Sequence, residues 1–315
     1  ARTPERAEQL RRKHGAKRAY TSEEELLRDP EVDAVYIATP VAEHYREGTL
    51  ATQAGKHILM EKPLTVSADE TKALIDCCEA HKVAFGAGFM MRFGTHVQSM
   101  RRAVLDGRIG TVLSGTANFT LWMPYQSGVW RLQKKNGGGA LMDMGIHCLD
   151  LISFITGMRV TEVAAMNENV LFRDPGYEVE DSSAVLLRME NGAQFFVQSS
   201  FNIPYAEAKW HLNLFGSKGR LMGDNILGQE DTGTLNLIDA DMLPTLDPRP
   251  QTGYGQGRMC PAVFGNLYTR EIESFSESVL CGTPLEVPAT QALEVQRVVD
   301  AAYRSSREKR IISLL

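Results

Sequence analysis

Cysteine is scarce and odd in number in this 315-residue chain: there are five, two of them adjacent at Cys77 and Cys78. That excludes a disulfide-stapled scaffold and fits free or buried thiols in a reducing compartment, so a cytoplasmic protein is expected. Neither sign of charge is in excess, with 34 Lys and Arg against 39 Asp and Glu and a net charge of -5. The one basic run, Arg11-Arg12-Lys13, reads as a solvated helix face. A duplex or an anionic membrane would repel such a surface, so neither nucleic acid nor membrane is an expected partner. No stretch approaches the ~18 apolar residues of a membrane span, and residues 1–20 lack the apolar core of a secretory signal. Internal repeats and low-complexity segments are also missing.

Enough apolar side chain is present for sizeable cores: 43% of residues are hydrophobic and 23% charged, close to the globular average. The length suggests about two domains. From Thr3 to about Met90, helical patterns alternate with short apolar runs. Pro4 just inside Thr3 starts a helix that Gly15 stops; Ser22 with Glu25, and Ser67 with Glu70, form capping boxes. The runs Ala34–Ala38, His57–Met60 and Val83–Phe89 read as buried parallel strands, with helices predicted over Val41–Gly55 and from Ser67 to Ala80. This is the rhythm of a doubly wound α/β sheet.

After Phe89 the rhythm changes. A helix is predicted over Thr95–Asp106, and longer alternating strands over Thr111–Trp122, Val160–Leu171, Ser183–Met189, Gln194–Phe201 and Trp210–Phe215. Asn191-Gly192 is a hairpin turn and Gly216 to Gly219 a tight turn. A long helix is expected from about Gly139 to Ile155, two more over Val263–Leu280 and Thr290–Ser305, and a loop over Asp239–Pro261. The expected architecture is an α/β dinucleotide-type domain over residues 1–89, then an α+β domain over residues 90–315 with a large, mostly antiparallel open sheet.

Two constellations could carry chemistry. Glu61-Lys62-Pro63 follows the strand His57–Met60, at the carboxyl edge where open sheets bind ligands, and Lys62 there can donate to a substrate oxygen. A surface lysine paired with Glu61 explains the same residues equally well. The second is Gly137-Gly138-Gly139 followed by Asp143, His147 and Asp150, which on a helix would share one face amid apolar neighbours. A carboxylate one turn from an imidazole suits a general base or acid. A satisfied buried histidine, with Asp150 pairing elsewhere, is the plainer alternative, and a metal shared by Asp and His the weaker one. Thr39-Pro40, His44 and Trp130-Arg131 are individually uninformative.

Taken together, Ala38-Thr39-Pro40 with His44, then Ala54 through Leu64 including Glu61-Lys62-Pro63, then the triple glycine through Asp143, His147 and Asp150, resemble the Gfo/Idh/MocA family of NAD(P)-dependent oxidoreductases. Leu221 to Leu227 further looks like the branch that includes 1,5-anhydrofructose reductase. The resemblance implies a Rossmann domain, a second domain whose open sheet mediates homodimers or homotetramers, and hydride transfer between nicotinamide and a sugar, polyol or related carbonyl compound. By position, Lys62 would bond the reacting oxygen and the nicotinamide ribose, His147 would exchange the proton and Asp143 would orient or assist it. Glu61, Thr39, Pro40 and His44 would line the dinucleotide, with Trp130 and Arg131 near its nicotinamide end. A non-catalytic dinucleotide- or sugar-binding regulator of the same fold is the alternative.

Two departures from the family pattern stand out. The Gly-rich turn that cradles a pyrophosphate is not found, and the first residue is Ala, so the expectation is a Rossmann domain lacking its first βα unit, with the native polypeptide carrying an upstream segment of roughly 30 residues. Ala1-Arg2-Thr3 stands where an NAD enzyme places a ribose-binding acid. Arg2 and Thr3 suit a 2′-phosphate, which favours NADP over NAD.

Overall fold

A computed structural model describes residues 3–204, 210–239 and 257–315. Local chemistry sets most helix ends. The Thr3 hydroxyl accepts the Arg6 N–H, Pro4 opens α1 (Pro4–His14), and Gly15 closes it at φ 66°. Ser22 and Ser67 cap α2 (Glu23–Arg28) and α4 (Ala68–His81) through the Glu25 and Glu70 N–H groups. Between them lie β1 (Ala34–Ile37), α3 (Val41–Gln53) and β2 (His57–Glu61), and β3 (Phe85–Gly88) follows α4. The strands form a parallel sheet in the order β1-β2-β3. Helices cover β2 and β3, whose residues are mostly buried: α3 and α7 (Leu267–Cys281) meet β2, and α8 (Ala289–Glu308) meets β3. β1, expected to be buried, meets α3 but leaves Ala34 and Tyr36 exposed, because among the described residues it pairs with β2 alone and borders an open cleft.

The second sheet has nine strands. It comprises β4 (Val112–Thr120), β5 (Val160–Glu168), β6 (Ser182–Met189), β7 (Gln194–Ser200), β8 (Trp210–Gly216), β9 (Gly219–Asp224), β10 (Thr234–Ile238), β11 (Arg258–Met259) and β12 (Ile312–Ser313). Their order is β11-β10-β9-β8-β4-β7-β6-β5-β12. Every pairing is antiparallel except β4 with β7. The fold class read from the sequence therefore holds, with hairpin turns at Asn191-Gly192 and at Ser217-Lys218. β11 falls inside the segment expected to be a loop, of which residues 240–256 lie outside the described residues. Two-residue strands such as β11 and β12 carry no periodicity to read and exist only through a partner's backbone.

The long helix expected from Gly139 to Ile155 is instead a π turn (Leu141–Gly145) leading into α6 (Ile146–Thr156). α6 is apolar on nearly every side because it is enclosed by α5 (Thr95–Leu105), α8 and β4. Within Lys134–Thr156 an 18-residue window of mean hydropathy 1.3 has the length and composition of a membrane span, but that window is interrupted by Asp143, His147 and Asp150 and is 94% buried within the protein.

Asp150 follows His147 by three residues on α6 but does not join it at the cavity. It turns to Arg92, whose Nη2 and Nε donate to its carboxylate at 2.6 to 3.1 Å, with both side chains sealed at 2% and 1% exposure. Arg92 also donates to Gln291 at 2.5 Å and lies over the Phe154 ring, so one guanidinium ties α6 to α8. Removing one partner of such a pair strands a buried charge. Asp150→Ala should lose about 3–5 kcal/mol in chemical denaturation, and Arg92→Met with Asp150→Leu should recover most of it; an Asp150→Ala midpoint equal to wild type would refute the role.

Candidate active site

The chain leaves β1 through Ala38-Thr39-Pro40 and β2 through Lys62-Pro63, so Thr39, Pro40 and Lys62 stand together at the carboxyl edge of the parallel sheet, where such sheets bind ligands. The Lys62-Pro63 bond is cis. Lys62 Nζ reaches across to the π turn and donates to the Asp143 backbone oxygen at 2.5 Å and to Oδ1 at 2.9 Å. Arg131 Nε donates to Asp143 Oδ2 at 3.0 Å, and its guanidinium lies 4.6 Å over the Trp130 ring. One carboxylate thus bridges two cations. Burial pushes the Asp143 carboxyl up, but Lys62 and Arg131 outweigh it and hold it below the usual carboxylate range.

The triple glycine explains how Arg131 and Asp143 meet. Gly139 N–H donates to the Arg131 backbone oxygen at 3.0 Å, and a Cβ on Gly138 would lie 2.3 Å from that same oxygen. Gly139, at φ 126°, passes so near Glu180 that a side chain there would strike the carboxyl oxygens. Glu180 accepts the Leu141 N–H and the Tyr303 hydroxyl, both at 2.9 Å, and burial pushes its carboxyl up to about 7. This brace holds the start of the π turn.

His147 is 3% exposed and lies between the Phe89 and Phe119 rings. Burial first, then the nearby Lys62 charge, push its imidazole well below the ordinary range, against the opposing pull of Asp143. It is neutral at physiological pH. The expected hydrogen bond to Asp143 is not among its contacts, because the π turn re-aims Asp143 toward the two cations. Nδ1 is sealed and without a partner among the described residues, which leaves Nε2 to face the cavity.

Lys62, Asp143, His147, Thr39, Pro40, His44, Glu61, Trp130 and Arg131 all line one cavity of ≈ 830 Å³. His44 is 1% exposed and its ring nitrogens meet the backbone oxygens of Thr39, Pro63 and Leu64, so it braces both strand ends from within. Glu61 accepts the Tyr36 hydroxyl at 2.5 Å and the Lys62 N–H at 3.2 Å. Through Ala38, Thr39, Pro40 and Trp130 this cavity adjoins a second of ≈ 1060 Å³ that runs over β1 toward α1 and α2. The joined clefts make an elongated trough along the strand ends, of the form an extended dinucleotide would need, and His147 Nε2 marks the end at which a reacting group would sit. Thr3 lies away from the first cavity as the exposed cap of α1, and Arg2 lies outside the described residues.

Reading the sequence did not find Phe119, Trp210, Tyr268 or the Leu227–Thr232 segment, which complete the wall of the smaller cavity. They come from four separated stretches of chain and carry no local motif. Arg131's partner was also missed, although two glycines forced into close backbone approach were a signal that something rigid lay beside them.

Residues 1–89 match the model described as "Oxidoreductase family, NAD-binding Rossmann fold", and residues 97–222 match the GFO/IDH/MocA C-terminal domain. The chain is similar to 1,5-anhydro-D-fructose reductase of Ensifer adhaerens, 31% identical over 84% of this chain and 75% of that protein. It is also similar to D-xylose 1-dehydrogenase (NADP(+)) 2 of Haloferax volcanii, 31% identical over 95% of this chain and 86% of the other. Among solved structures, aldose-aldose oxidoreductase from Caulobacter crescentus, complexed with glycerol, superposes with a TM-score of 0.86 at 25% identity over 99% of this chain and 90% of that one.

Beside this site, Glu271 on α7 is 2% exposed and neither carboxyl oxygen has a partner among the described residues. Burial, with repulsion from Glu61, pushes it up to about 8. A folded-state value above the ordinary 4.5 means that the folded protein binds this proton more tightly than the unfolded chain, so stability falls as pH rises from about 4.5 to about 8. Glu271→Gln should flatten that fall and gain roughly 3–5 kcal/mol over wild type at pH 8.5 relative to pH 4.5. Denaturation curves across this range check it, and parallel curves for the two proteins would sink it.

Proposed function

The chain belongs to the Gfo/Idh/MocA family of oxidoreductases with an NAD-binding Rossmann fold, and on that premise we propose that it transfers a hydride between NADP(H) or NAD(H) and a sugar, polyol or related carbonyl compound. The observation that carries this reading is the Asp143 carboxylate joined to Lys62 and Arg131 beside a neutral His147, at the carboxyl edge of the parallel sheet. The relatives' names, an anhydrofructose reductase and a xylose dehydrogenase, support the substrate class. No feature of the described residues favours a silent regulator over an enzyme.

When bound, the nicotinamide supplies or accepts the hydride. The chain's own residues manage the oxygen and its proton. Lys62 Nζ donates to the reacting oxygen and stabilises the negative charge that develops there. Asp143 keeps that ammonium in place and offsets its charge. His147, neutral, accepts the hydroxyl proton at Nε2 when an alcohol is oxidised and returns it when a carbonyl is reduced. Thr39, Pro40 and Glu61 would hold the dinucleotide over the strand ends that His44 braces from within, with Trp130 and Arg131 at its reacting end. We assign residues 1–89 to the dinucleotide and residues 90–315 to substrate and assembly.

NADP is the proposed preference, supported by the NADP(+)-dependent relative and by Arg2 and Thr3 in the sequence, although the Thr3 hydroxyl is engaged in capping α1. A cytoplasmic location is part of the proposal, and the free cysteines support it.

Lys62→Ala and His147→Asn should each lower kcat by about 10²–10⁴ while cofactor affinity, measured by fluorescence titration, moves only a few-fold. Because His147 titrates well below its ordinary range, the wild-type rate profile should show no His147 limb near pH 6.5; such a limb, abolished in His147→Asn, would overturn the neutral-base assignment. The outer face of the nine-stranded sheet carries Leu113, Met166, Leu186 and Phe196, each 43% to 75% exposed, with Leu186 and Phe196 paired across β6 and β7. We propose that this face joins copies into a homodimer or homotetramer. Leu186→Glu with Phe196→Glu should yield monomers in analytical ultracentrifugation, and a wild type that sediments as a monomer would refute the assembly.

A further inference from the structure

The loop between β9 and β10 forms part of the wall of the ≈ 830 Å³ cavity and is held with unusual firmness. Its anchor is Asp231, whose side chain is 2% exposed. The carboxylate accepts Thr95 N–H at 2.9 Å, Thr95 Oγ1 at 2.7 Å, Gly265 N–H at 3.0 Å and Arg270 Nη1 at 3.0 Å. The backbone takes positive φ at Asn225, Gly228 and Gly233, and the Thr232 hydroxyl closes the loop onto Asn225 O at 3.1 Å. Gly228 passes over the Trp210 ring. A loop fixed in this way presents Gln229 and Glu230 to the cavity from a defined position.

The charge inventory of the cavity then decides what can bind. Both cations in its wall, Lys62 and Arg131, are committed to Asp143. Glu61 is committed to Tyr36 and the Lys62 N–H. Among the described residues Glu230 is the one lining carboxylate with no hydrogen bond or ion pair, and each lining cation is already bonded to Asp143 at the reacting end.

Resting on the function proposed above, we infer that Glu230, with Gln229 beside it, is the specificity determinant for the part of the substrate remote from the reacting carbon. The substrate is an uncharged sugar or polyol with neighbouring hydroxyls there. A carboxylate accepts two hydroxyl protons and the Gln229 amide adds both a donor and an acceptor, while the Trp210 ring gives the apolar face of a sugar a surface to lie on. A sugar acid with its carboxylate at that end meets Glu230, while the lining cations are already bonded to Asp143, and this costs binding through like-charge repulsion.

The test is steady-state kinetics of the full chain with NADPH or NADP(+), comparing a neutral aldose or polyol that it turns over with the corresponding uronate. Wild type should favour the neutral compound by about tenfold or more in kcat/KM; Glu230→Gln should raise KM for it by about tenfold, with a much smaller effect on kcat, and narrow the discrimination, while Glu230→Lys should reverse it. An active enzyme whose KM values and neutral-to-uronate ratio are the same in all three proteins overturns this inference alone. A wild type that binds nicotinamide cofactor but turns over no sugar or polyol overturns the proposed function and this inference with it.

Discussion

The Asp143 carboxylate is buried, and a buried carboxylate is tolerable only where opposite charge and hydrogen bonds replace the water it has lost. Lys62 arrives from the end of the second parallel strand and Arg131 from the turn ahead of the triple glycine, so the pairing joins the sheet that faces the dinucleotide cleft to the segment that carries His147. Much of the local architecture serves this meeting. Gly138 and Gly139 let the backbone pass against Arg131, Glu180 and Tyr303 brace the first residue of the π turn, and the π turn rotates Asp143 off the helix face and toward the cations. Burial first, and then the Lys62 charge, keep His147 neutral against the opposing pull of Asp143.

Buried carboxylates recur as anchors elsewhere. Asp150 fixes α6 to α8 through Arg92 and Gln291, and Asp231 pins the β9–β10 loop to α5 and α7. Each is fully engaged, which gives these joints direction and rigidity that apolar packing alone lacks. Glu271 is the exception, a carboxyl in the same surroundings without partners, and it responds by holding its proton. The difference between an anchor and a protonated acid is thus whether a cation or backbone N–H lies within reach.

Helices and the first sheet were legible in the sequence because their signals are local. Ser22, Ser67 and Thr3 cap the helices they were read to cap, and the apolar run at Ala34 becomes a parallel strand, although only Ile37 of it is buried. The order of motifs also brought Lys62, Asp143 and His147 onto one list, and the fold places them in one cavity. Their mutual arrangement was not legible. Regular helical spacing put Asp143 beside His147 and Asp150, whereas Asp143, in the π turn, goes to Lys62 and Arg131, and Asp150 goes to Arg92. Trp210, Tyr268 and Glu230 were invisible as site residues, since each is an ordinary strand, helix or loop residue until the chain folds.

The sequence by itself determined the fold class and the chemical inventory at the strand ends, because capping, apolar periodicity and the Glu61-Lys62-Pro63 and triple-glycine motifs depend only on neighbours along the chain. Only the tertiary structure decided which carboxylate serves which cation. Asp143 goes to Lys62 and Arg131, Asp150 to Arg92 and Asp231 to Arg270, choices made between residues up to 81 positions apart. Those choices rest on desolvation: a charge removed from water must find its partner in space, and chain distance has no bearing on which partner is near.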